Sequence, residues 1–124
     1  MSTAYYALFE FLAKECADLL VGTGQARNYP CWRHVHRALD HGFAKGACGQ
    51  VVNLNFPPMI IQFADMFTQM QEQRHNADYD PAARYTRAEV LTLIDNVEIA
   101  IADYRTAPRQ DKLAFAVLVL LKRR

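Results

Sequence analysis

The chain has little of what staples or punctuates a small fold. Cys16, Cys31 and Cys48 are its only cysteines; the count is odd and no pair has the close spacing of a zinc knuckle or a redox motif. That argues against a disulfide framework, and the expectation is reduced thiols in a cytoplasmic protein. Long hydrophobic runs are missing as well. The longest, LAFAVLVLL at 113–121, is too short to cross about 30 Å of hydrocarbon and reads as a buried helix. The opening MSTAYYALFEF has no basic stretch leading into a long apolar run, so no secretory leader is expected. Neither sign of charge dominates: 14 Lys and Arg stand against 13 Asp and Glu. Net charge therefore gives no argument for nucleic acid or an anionic membrane and leaves only local basic patches to consider. There is no glycine-rich phosphate loop, Gly-x-Ser-x-Gly elbow, His-Glu-x-x-His or dinucleotide fingerprint, so no cofactor is expected.

What is present is apolar and helical in period. Of 124 residues, 52% are hydrophobic, enough for one domain, 1–124, with a real core. Residues 3–21 carry Tyr5, Leu8, Leu12, Cys16 and Leu19 at three- and four-residue spacing, ended by Gly22 and Gly24. A second helix is expected over 29–43, with Trp32, Val35, Leu39 and Phe43 on one stripe, followed by a loop over 44–56. A third runs from Pro57-Pro58 to about Tyr79, because Pro81 disfavours helical geometry at the residue before it. Thr86-Arg-Ala-Glu89 has the spacing of a capping box opening a fourth helix, and Pro108 opens a last one reaching about Lys122. No segment alternates as a strand. The fold expected is all-α, an antiparallel bundle of four to five helices.

One stretch is dense in chemistry: QRHNADYDP at 73–81. On a helix, Arg74 faces Asp78 and His75 faces Tyr79, each pair four residues apart. Asp78 in a last helical turn meets the negative end of the dipole and needs a cation such as Arg74. The plain reading is a solvated helix end before an Asp-Pro turn. The sharper one is a convergent site, with Arg74 to hold a phosphate, His75 to move a proton near neutral pH and Tyr79 to stack on a base.

Three segments, STAYYALFEFLAKECADLLVG at 2–22, WRHVHRALDHG at 32–42 and QRHNADYDPAARYTRAEVLTLIDNVEIAI at 73–101, resemble the HEPN superfamily, in particular its small bacterial members with an Arg-x-x-x-Asp-Tyr-Asp segment. The resemblance implies a HEPN-like helical bundle that often forms a homodimer. Many such proteins are metal-independent endoribonucleases, or toxins paired with a nucleotidyltransferase antitoxin; others are non-catalytic RNA- or protein-binding modules. Catalytic members place a His after the Arg with four to six residues between them. From Arg74, those positions hold Tyr79, Asp80 and Pro81, so this chain is expected to be a non-catalytic RNA- or protein-binding module. The alternative is a divergent ribonuclease in which His75, Asp78 or Tyr79 replaces the missing His beside Arg74. Arg27 and His34 satisfy the spacing, but at another point in the chain. The AYYA helix in such proteins usually follows another helix; its place at the start here leads to the expectation that an apolar groove is left for a partner chain.

Other clusters read more plainly. Cys31, His34 and His41 share a face if 29–43 is one helix, but zinc needs a fourth ligand and only Cys48 is near; ordinary histidines are expected. Arg27, Arg33, Arg37 and Lys45 interleave with Tyr29 and Trp32, a mixture that suits single-stranded RNA and equally a solvated helix face. Tyr5 and Tyr6 point about 100° apart, so one belongs in the core and the other near a surface. One of their hydroxyls reaching the 74–78 segment is a minor alternative.

Overall fold

The computed structural model describes residues 2–79 and 85–123, without the side chains of 2 and 76–79. These residues form six helices: α1 (Ser2–Leu20), α2 (Tyr29–Ala38), α3 (His41–Cys48), α4 (Pro58–Tyr79), α5 (Arg87–Arg105) and α6 (Arg109–Leu120). The all-α expectation holds. The count of four to five helices does not, because the expected 29–43 helix is broken. Leu39 turns to extended backbone (φ −66°, ψ 121°) and the Asp40 carboxylate accepts the Phe43 N–H at 2.8 Å, capping a new helix. That cap makes α3 out of residues expected to be partly helix end and partly loop.

The other ends follow from local chemistry. Asn28 caps α2 through Cys31 N–H at 3.0 Å, with Pro30 in the first turn. Gly22 and Gly24 leave α1 with φ of +114° and +89°, which a side chain would strain. At α5 the capping box is complete: Glu89 N–H donates to Thr86 Oγ1 at 3.1 Å and Thr86 N–H to Glu89 Oε1 at 3.3 Å. Thr86→Ala should therefore lower stability by about 1 kcal/mol, read as a shifted urea midpoint with unchanged slope.

α1 is the central element, packing on α2, α4, α5 and α6, while α3 packs on α4 and α6. Pairings fix the directions. Trp32 meets Asp18 while His36 meets Glu10, so α2 runs antiparallel to α1. Phe63 meets Phe11 while Phe67 meets Tyr5, so α4 does too. The core is aromatic at its centre: Phe63 lies 4.7 Å from Tyr104, 5.8 Å from Phe11 and 6.2 Å from Phe115, centroid to centroid. Tyr104 is fully buried, and among the described residues its hydroxyl has no hydrogen-bond partner. Burial also drives its pKa up, so the phenol stays neutral. Tyr104→Phe removes an unsatisfied polar atom and keeps the ring, so it should leave stability unchanged or raise it by about 1 kcal/mol in the same titration.

Cys16 and Cys48 are buried and free, each thiol pushed up to about 12 by desolvation; both act as small apolar groups. The 113–121 run is only partly interior. Phe115, Ala116 and Val119 are buried, whereas Val117 and Leu121 face out. No described helix is long and apolar enough to cross a membrane.

Candidate functional site

The feature that gathers chemistry lies where α4 passes the start of α1 and the start of α3. Tyr5 and Tyr6 behave as their adjacency requires: Tyr5 is 0% exposed and Tyr6 41%. Their rings meet edge to face at 5.6 Å, and the Arg74 guanidinium sits over both, 5.4 Å from the Tyr5 centroid and 5.1 Å from that of Tyr6. Two ring faces hold a planar cation, so the orientation of Arg74 is restricted.

The histidine beside this pair is His41, the first residue of α3. It stacks on Phe9 at 4.0 Å and 16° and lies 6.2 Å from Tyr6. Its Nδ1 is 2.5 Å from the Tyr5 hydroxyl. Desolvation and then the Arg74 charge lower the His41 pKa, and Asp40 partly opposes them; the positive end of α3 acts in the same direction as Arg74. Burial raises the pKa of Tyr5 well above the usual phenol value. Both groups are thus neutral near pH 7. The bond takes either of two tautomers: where the Tyr5 O–H donates to His41 Nδ1, the remaining ring hydrogen is on Nε2.

This neutrality carries a sign for stability. The folded-state pKa of His41 lies below the ordinary 6.5, so the unfolded chain takes up a proton first as pH falls. The His41 contribution is complete above about pH 6.5 and is lost as pH drops toward the lowered value. Over that interval the wild type should lose stability more steeply than His41→Gln, measured by urea unfolding at a series of pH values.

Of the residues singled out in the sequence, Arg74 is in the cluster and half-buried. His75 is exposed. The side chains of Asp78 and Tyr79, and Asp80 with the Asp-Pro turn, lie outside the described residues. Tyr5 does approach Arg74, through its ring; its hydroxyl goes to His41. The zinc grouping is dispersed, because His41 belongs to α3 and not to the helix carrying Cys31 and His34. Among the described residues, no three His, Cys, Asp or Glu are placed to hold a metal. His41 was missed as a partner of Arg74 because they are 33 positions apart in the chain. The available signal was Asp40-His41, an N-cap residue followed by a helix start.

A second set of contacts lies along α2. The rings of Tyr29, Trp32 and His36 form a near-parallel column, with centroids 5.9 Å and 5.1 Å apart. Arg27 lies 5.5 Å from the Tyr29 ring and 5.3 Å from that of Trp32, tied by Nη1–H to the Gly24 carbonyl at 2.7 Å. Trp32 Nε1–H donates to Asp18 at 2.9 Å, and His36 Nε2 is 3.4 Å from Glu10.

No protein-family model, characterised protein or solved structure matches the chain.

Proposed function

We propose that the chain is a HEPN-like helical module that binds RNA without cleaving it, through Arg74, Tyr6 and His41 over the buried Tyr5. The carrying observation is the Tyr5–His41 hydrogen bond. A general base needs a free ring lone pair, and in the tautomer this reading takes, the one on His41 Nδ1 accepts from a buried phenol. What His41 offers outward is an N–H donor. Next to it are the Arg74 guanidinium and the half-exposed Tyr6 ring. A donor, a cation and a ring face are the groups that hold a phosphate and a stacked base. Homodimerisation and pairing with a nucleotidyltransferase belong to the same proposal through the family resemblance.

A second reading, a divergent metal-independent endoribonuclease, is favoured by one fact: the cluster brings a neutral histidine next to Arg74. In that chemistry the ribose 2′-hydroxyl loses its proton and attacks the adjacent phosphate, breaking the bond to the 5′-oxygen of the next nucleotide, which leaves as a hydroxyl, and forming a 2′,3′-cyclic phosphate. Arg74 would stabilise the developing charge and His41 would carry the proton. Incubating unstructured RNA with the protein in chelator separates the two. The binding reading expects intact RNA bound by the wild type. Cleavage that disappears in both Arg74→Ala and His41→Ala, each still folded by circular dichroism, would replace it with the ribonuclease.

A further inference from the structure

The antiparallel contact of α1 with α2 sets the ring column and the Arg74 cluster on one seam. Descending α1 from Asp18 through Glu10 and Phe9 to Tyr6, the opposing groups are Trp32, His36, His41 and Arg74. The α2 part alone is about 15 Å long. α2 has no buried residue and no acidic residue. Tyr29, half of its surface exposed, ends the column. Arg33 and Arg37 lie one turn apart, both exposed, and neither has an ion pair among the described residues. With His34 and Pro30 they line an open groove of about 430 Å³. Like charges four apart on a helix repel, and no ion pair among the described residues offsets them.

We propose that this seam is a track for single-stranded nucleic acid, extending the Arg74 cluster from a point contact to a strand several nucleotides long. The inference rests on the RNA-binding reading above. Arg33 and Arg37 neutralise successive phosphates. Tyr29 stacks a base at the far end of the column, and the strand continues past His36 toward Tyr6 and Arg74. On α2 the arginines sit one position after Trp32 and His36, about 100° further round the helix, and arginines beside rings fit a single strand, whose bases are free to stack. A duplex keeps its bases stacked inside and offers no free base face to Tyr29.

Trp32 is the only tryptophan, so its fluorescence reports the middle of the track. The experiment titrates an unstructured 12-nucleotide RNA into the wild type, Arg33→Glu/Arg37→Glu, Tyr29→Ala and Arg74→Ala, over a range of salt. The track predicts saturable change in Trp32 emission and binding at least tenfold weaker in the α2 double variant. The salt slope should flatten by about 1.4, as expected for two lost phosphate contacts on a single strand. Tyr29→Ala should weaken binding about fivefold or more. These α2 side chains are exposed, so unchanged circular dichroism is expected. Wild-type affinity in the α2 variants with loss in Arg74→Ala overturns the track and leaves the RNA reading standing. Loss in the α2 variants with none in Arg74→Ala supports the track and overturns the Arg74 site. No binding by the wild type overturns both. Equal binding of a duplex of the same sequence, or equal displacement by polyglutamate, overturns the assignment to a single strand.

Discussion

Phe63→Ala should cost about 3–5 kcal/mol and lower the melting temperature by roughly 10–25 °C. Phe63 is fully buried at the crossing of α4 with α1, α5 and α6, where Phe11, Tyr104 and Phe115 surround its ring. Four elements share that contact, so they cannot close together over the void without moving one another. Cavities of this kind retain most of their cost because surrounding structure relaxes only in part. The loss is large against a total of about 5–15 kcal/mol for a domain. Ile99→Ala is the control. Ile99 lies on the outer side of α5 with more than half of its surface exposed, and its truncation should change stability by about 0.5 kcal/mol or less. Thermal unfolding of both variants reads the contrast directly. Equal shifts would mean that the aromatic crossing is not the centre of the core.

Arg74→Ala should weaken RNA binding about 10- to 100-fold, the range expected for losing a charge-assisted hydrogen bond to phosphate. Stability should move far less than in Phe63→Ala, since the guanidinium packs on ring faces at the edge of the core and fills no central void. Arg74→Lys is the more informative variant. It keeps the charge but lacks the planar fork that both lies on two tyrosine faces and meets phosphate with parallel N–H groups. Binding should therefore stay well below wild type in Arg74→Lys, by anisotropy with a labelled RNA. Tyr6→Ala should produce a partial loss, because it removes one of the two faces that orient Arg74 together with a stacking surface.

How much could be read from the sequence depends on how local the causes are. α4 and α5 were legible because each is set by neighbours in the chain: Pro57 before α4 and Pro58 at its first position, a proline after it, and a capping box whose members are three residues apart. That one of Tyr5 and Tyr6 is buried and the other exposed also followed from helix geometry. The break between α2 and α3 was not legible. Apolar spacing continues from Trp32 through Phe43, so periodicity reads one helix, and only the Asp40 side chain turning to the Phe43 N–H divides it. That division removes His41 from the face of Cys31 and His34 and swings it onto Phe9 and Tyr5. The site was half-legible for the same reason. Arg74 stood out by its charge and context, but its partners come from α1 and α3, and no spacing within 73–81 encodes them. The aromatic column on α2 was visible as a mixture of residue types; its alignment with the Arg74 cluster depends on α2 running antiparallel to α1.

The central claim is that the Arg74 cluster binds RNA and does not cut it. Equilibrium binding of a labelled single-stranded RNA to wild type and Arg74→Ala, in chelator and with the RNA recovered afterwards on a denaturing gel, tests it most directly. The account predicts saturable wild-type binding, an affinity at least tenfold lower in Arg74→Ala, and full-length RNA in every lane. Equal affinity in the two proteins, or absence of binding by the wild type, would contradict it.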